Sequence, residues 1–146
     1  MQDFNHRLPQ QRNVRTAIPG PRSQELEQQR EAELARGLVP GLPAYIVDGD
    51  GGVLIDVDGN SFVDFASGIA VTTVGASNER VATAVSEAAS HLLHTCFLNA
   101  PYEGFVAVAR KLNELTPGEH KKKSALFSTG AEAIENAVKI ARNYTG

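Results

Sequence analysis

The feature that most constrains this chain is the stretch SALFSTGAEAIENAVKIAR, residues 124–142. A short apolar run, Ala125-Leu126-Phe127, breaks at Ser128-Thr129-Gly130, and apolar residues return at Ile134, Ala137, Val138 and Ala141. Strands repeat every two residues and helices every 3.6, so this change of period across a glycine reads as a buried strand, a tight turn and a helix. Glu135 and Lys139 stand four apart in the orientation that supports a helix. A helix that starts this way has N–H groups without intrahelical acceptors, at the positive end of its dipole. Two readings are open. Thr129 or Ser128 caps the helix, or the segment from Ser128 to Ala131 forms a cup for an anion, with Gly130 permitting close approach of the backbone. Glu132 competes with a bound anion unless its side chain turns away. The stretch is neither G-x-G-x-x-G nor a P-loop, so it gives no support to a dinucleotide or nucleoside triphosphate site.

Upstream, residues 1–22 are polar and carry Pro9, Pro19, Gly20 and Pro21. They read as an arm that packs on something else. Ser23 is placed to cap a helix running to about residue 36, with Gly37 as its stop. Leu26 and Leu34 are its only large apolar side chains, which puts it on a surface or between subunits. Residues 44–47, 53–57 and 61–65 read as the strands of a small antiparallel meander, with turns at 48–52 and 58–60. Asp48, Asp50, Asp56 and Asp58 lack the closing glutamate of a twelve-residue calcium loop, and hairpin turns are their expected use. A helix should follow the loop at 75–78, with Val81, Ala84, Val85, Ala88 and Leu92 on one face. Another should run from about residue 102 to 115, burying Phe105, Val108, Ala109, Leu112 and Leu115 and ending at Thr116-Pro117-Gly118. His91 and His94 suit a helix C-terminus better than a metal site, for want of a third ligand. The expected organisation is an arm over 1–22, a segment of helix and antiparallel strands over 23–74, and the beginning of a larger domain over 75–146.

Composition narrows the function. The chain has 146 residues, 42% of them hydrophobic, enough for a real core. A net charge of −3 gives no footprint for nucleic acid or an anionic membrane, and Lys121-Lys122-Lys123 reads as a solvated loop. Cys96 stands alone, so an internal disulfide and a cysteine-based metal motif are both excluded. No apolar run is long enough to span a bilayer, and the first residues lack a signal-peptide pattern. A soluble cytoplasmic protein is the expectation.

STGAEAIENAVKIAR resembles the cofactor-phosphate loop and following helix of the class III pyridoxal-phosphate aminotransferases, and DVDGNSFVDFASGIAVTTVG resembles the segment upstream of it in the same family. HTCFLNAPYEGFVAVARKLNELTPG and IPGPRS are similar to the branch of that family acting on 4-aminobutyrate. The resemblance runs from about residue 18 to 146. It implies an α/β fold: the N-terminal part of a fold-type-I transferase, with polar arm and helix, small antiparallel meander and the start of the large α/β domain. It implies pyridoxal 5'-phosphate as cofactor and transfer of an amino group from 4-aminobutyrate or a similar ω-amino acid to 2-oxoglutarate. Ornithine or acetylornithine is the alternative donor, and a homodimer or larger assembly is implied. Gly130 and Ala131 match the pair whose backbone N–H groups hold the cofactor phosphate, and Ile69, in SGIAV, matches a hydrophobic residue on the substrate side. Leu98, after HTCF, stands where the branch can carry a polar residue and receives no role.

The same resemblance implies that the Schiff-base lysine, the acidic partner of the pyridine nitrogen, the stacking aromatic and the carboxylate-binding arginines lie downstream of residue 146. No catalytic residue is therefore assigned. Lys139 sits roughly 13 Å along the helix from Gly130. Lys121, Lys122 and Lys123 lie about 16 Å before the loop, and Lys111 is on the helix face opposite Phe105 and Leu112. The expectation is the N-terminal portion of a longer enzyme, inactive by itself, with apolar faces of its last two helices exposed for want of neighbouring strands.

Overall fold

The computed structural model describes residues 7–146; the part of the arm over 1–6 lies outside them. The chain divides into two compact units, Met1–His91 and Leu92–Gly146.

The first unit is built on the expected meander: β1 (Ile46–Asp50), β2 (Val53–Asp56) and β3 (Ser61–Val63), antiparallel in the order β1-β2-β3. β1 extends through Asp48-Gly49-Asp50, residues expected in a turn, because Gly49 pairs with Leu54 and Asp50 with Val53. The reversal is left to Gly51 and Gly52, and Gly51 takes the positive φ of 55° that it needs. The arm packs on the chain's own sheet. Asn13 and Ser61 exchange backbone hydrogen bonds at 3.0 and 2.8 Å, and Leu8 N donates to Asp50 Oδ2 at 2.9 Å. Its closure is polar. Asn60 is fully buried, and its Oδ1 accepts from the N–H groups of Arg15 (2.7 Å) and Thr16 (2.9 Å). Its Nδ2 donates to Asp56 Oδ2 (2.7 Å), while Asp56 Oδ1 accepts from Asn60 N (2.7 Å) and Asp58 N (3.0 Å). Among the described residues no buried side-chain polar atom lacks a partner, which is the condition for such a cluster to be stable.

Helix α1 is Pro21–Glu33, not a helix capped by Ser23 and running to residue 36. Its N-cap is Gly20, and Pro21 fills the first turn, where a missing N–H costs nothing. Ser23 is buried inside that turn and its Oγ donates to Asp58 Oδ2 at 2.6 Å. Asp58 also accepts from Arg22 N (2.8 Å) and Ser23 N (3.0 Å), so these amides are capped from the turn between β2 and β3. At the other end Arg30 donates to Leu38 O at 2.9 Å and to Glu27 Oε1 at 2.7 Å, and Tyr45 Oη donates to Glu27 Oε2 at 2.7 Å. A single turn, α2 (Ser67–Ala70), follows the sheet, and α3 (Glu79–His91) matches the expected helix, with Asn78 Oδ1 accepting from Val81 N.

The second unit holds α4 (Glu103–Leu115), close to the bounds read from sequence, and α5 (Gly130–Thr145), which starts at the glycine read as its opening. Phe97 stacks on Phe105 at 4.3 Å between ring centroids, and Tyr102 meets both edge-on. The buried stripe read from the spacing of α4 is not realised, and the exposure expected of the apolar faces of the last two helices is: Val108 and Leu112 are 50% and 43% exposed, and no residue of the helix is buried. Residues 124–128 form no strand. A strand is defined by its ladder partners, and no described residue pairs with this segment. Ser124 instead donates to Asn113 Oδ1 of α4 at 2.8 Å.

Candidate cofactor-phosphate site

Thr129, extended at φ −136° and ψ 155°, ends the irregular segment and caps α5. Its Oγ1 accepts from Glu132 N at 3.1 Å, and Ala133 N begins the helical ladder on Thr129 O at 3.1 Å. Glu132 reaches back: its Oε2 accepts from Thr129 N at 3.0 Å and Ser128 N at 3.1 Å. This is a reciprocal capping box. It selects Thr129 as the cap and sets the Glu132 carboxylate on the N–H groups of Ser128 and Thr129. The two N–H groups between, those of Gly130 and Ala131, have no acceptor among the described residues. A Cβ placed on Gly130 would meet nothing within 4 Å, so the approach to these amides is open. Two adjacent unpaired amides at the positive end of a 16-residue helix suit a phosphate in charge and in donor type. The spacing T-x-x-E over residues 129–132 is the sequence signal of Glu132's part.

Ile69 belongs to the first unit, and Gly130 and Ala131 to the second. Its side chain is 93% exposed on α2, where Ser67, Gly68, Ile69 and Ala70 all have positive φ, 49° to 62°. Asp64 Oδ1 anchors the turn, accepting from Ala66 N (2.9 Å) and Ser67 N (2.8 Å). Lys139 pairs with Glu135 at 3.2 Å, Lys111 with Glu114 at 3.3 Å, and Lys122 donates to Gly118 O. An open groove of about 750 Å³ runs between α1 and residues 37–46 of the first unit, lined by Leu26, Leu34, Leu38, Val39, Leu42 and Ile46. It is apolar, and its one guanidinium, Arg30, is already committed to Glu27 and Leu38, so it has no means of holding a phosphate. Among the described residues no three His, Cys, Asp or Glu side chains gather as metal ligands, and no helix is long and apolar enough to cross a membrane.

The chain belongs to the class III aminotransferases. The aminotransferase class-III pattern matches residues 36–146, and the family is pyridoxal-phosphate-dependent. The chain is 52% identical over 139 residues to the 4-aminobutyrate aminotransferase of Mycobacterium tuberculosis, covering 95% of this chain and 31% of that protein. It is 42% identical over 124 residues to the 5-aminovalerate aminotransferase of Pseudomonas putida, covering 85% of this chain and 29% of that one. The crystal structure of acetylornithine aminotransferase from Elizabethkingia anophelis superposes with a TM-score of 0.74 at 28% identity, over 84% of this chain and 31% of that one. The chain thus spans about 31% of the length of these 4-aminobutyrate aminotransferases, and its fold is that of the N-terminal part of an α/β transferase of this family.

Proposed function

We propose that this chain contributes to an aminotransferase moving the amino group of 4-aminobutyrate, or a similar ω-amino acid, to 2-oxoglutarate. Its own task is to hold the cofactor's phosphate on the N–H groups of Gly130 and Ala131 and to present Ile69 to the substrate side. The observation that carries the reading is the pair of unpaired, open amides at the mouth of α5, inside the stretch matched by the family. The names of the 52% and 42% identical relatives support an ω-amino acid as donor. Pyridoxal 5'-phosphate, bound there, supplies the electron sink on which amino-group transfer depends. The chain's part is binding and orientation, and no bond-making step is assigned to its side chains. The family resemblance adds a homodimer or larger assembly, and the cytoplasm is the location proposed for it.

Gly130→Pro tests this. Proline is favoured at the first helical position, and Thr129 already has the extended backbone that a residue before proline adopts. The substitution deletes one donor N–H and leaves the helix start intact. Affinity for pyridoxal phosphate should fall about 10- to 100-fold, the worth of a hydrogen bond to a charged group, with helix content unchanged by circular dichroism. Binding of pyridoxal, which has no phosphate, should not change. Equal loss for both ligands, or no loss, removes Gly130 from the phosphate site.

A further inference from the structure

We infer that Glu132 is a positioning residue for the phosphate: its carboxylate occupies the Ser128 and Thr129 amides so that only the Gly130 and Ala131 amides are offered to the ligand. The inference rests on the phosphate reading above. Four successive N–H groups, from Ser128 to Ala131, line the entry to α5, and an anion facing four equivalent donors has several registers to choose from. One oxygen of Glu132 takes the first two, at 3.1 and 3.0 Å, and the return bond from Glu132 N to Thr129 Oγ1 at 3.1 Å locks the reach. An internal anion thus fills half of the cradle, and the register of the external one is set by what remains. Glu135, the other acid near the start of the helix, is paired with Lys139 and does not take part.

The arrangement separates the shape of the Glu132 side chain from its charge. The two amides need an oxygen acceptor at that reach, which a glutamine supplies as well. The negative charge itself disfavours a neighbouring phosphate. Glu132→Gln should therefore bind at least as tightly as the parent, whereas Glu132→Ala should bind about five- to tenfold more weakly, the usual cost of a lost cap. Glu132→Asp keeps an acid in the first turn, with its favourable dipole interaction, but is one methylene short, and should bind like the alanine variant.

The experiment is a titration of the ¹⁵N-labelled 146-residue chain with pyridoxal phosphate and, separately, inorganic phosphate, following the amide resonances of residues 128–131. In the parent and in Glu132→Gln, Gly130 and Ala131 should move and Ser128 and Thr129 should stay. In Glu132→Ala and Glu132→Asp, Ser128 and Thr129 should join the movement at weaker affinity. The Cα shifts of residues 133–145 report whether α5 persists, and the Asp variant carries the comparison if the Ala variant frays. Parent-like binding in both the Ala and Asp variants overturns the inference while leaving the phosphate site standing. So does tighter binding by alanine, or a glutamine variant as weak as alanine. Absence of any response at Gly130 and Ala131 in the parent overturns the phosphate reading and this inference together.

Discussion

The carboxylate of Asp58 holds the start of α1 from the turn between β2 and β3. Partial burial pushes its pKa up, but the Ser23 hydroxyl, the N–H groups of Arg22 and Ser23 and the Arg22 charge outweigh that and hold it below its ordinary 3.8. Because the folded value lies under the unfolded one, the stabilisation is complete above the ordinary carboxylate value and is lost as pH falls through the folded value. Glu27, lowered by Arg30 and then Tyr45, acts in the same direction. The protection factors of the Arg22 and Ser23 amides, corrected for the pH dependence of intrinsic exchange, should therefore fall as pH drops through the carboxylate range, and Asp58→Asn should flatten that dependence, leaving only the share due to Glu27. An unchanged profile in Asp58→Asn counts against Asp58 as the cap. Gly20 stands against the same group: a Cβ there would lie 2.3 Å from Asp58 Cγ, in a carboxylate pinned by three donors. Gly20→Ala should cost about 1–3 kcal/mol in urea unfolding. Asn60→Ala strands the Arg15 and Thr16 amides and one side of Asp56, and should cost about 2–4 kcal/mol.

At the scale of elements, what was legible in the sequence was what local chemistry decides. α4, and the start of α5 at Gly130, were placed within a residue or two because apolar spacing and start and stop signals travel with the helix itself. The start of α1 was misplaced because its cap lies 35 positions away, at Asp58, and no local pattern shows it. The segment at 124–128 read as a strand because its side chains suit one, yet a ladder also needs a partner, which periodicity does not report. The candidate site divides in the same way. Gly130 and Ala131 are candidates through the family resemblance, since the loop pattern left a helix cap and an anion cup both open, while the division of its amides required the direction of the Glu132 side chain. The cap has a measurable worth. Thr129→Ala should loosen the first turn of α5 by about 1 kcal/mol, seen as faster amide exchange at Glu132 and Ala133, with residues 138–145 unaffected. Uniform loosening along the helix would mean that the capping box does not set its start.

For the molecule as a whole, each unit keeps much apolar surface in solvent. In the first, Val53 is the only buried apolar residue among those described, and the centre is the polar cluster of Asp56 and Asn60. In the second, Leu112 and Leu115 of α4 are 43% and 68% exposed, and Ile134, Val138 and Ile140 of α5 are 68%, 51% and 66% exposed. Contiguous apolar patches of more than a few hundred Å² are rare on stable monomers and mark surfaces that bind something. The 146-residue chain should accordingly bind a fluorescent apolar dye such as ANS and self-associate as its concentration rises. Leu115→Lys with Ile134→Lys should lower both signals, and because neither side chain is buried the pair should change unfolding free energy by no more than about 0.5 kcal/mol each. The direction of that comparison is the informative part. If charge at these two positions reduces association and leaves stability alone, the α4 and α5 faces are surfaces for other chain to cover. If it unfolds the second unit instead, those leucine and isoleucine side chains are already part of a core, and the exposure of both faces is not the property that governs this chain in solution.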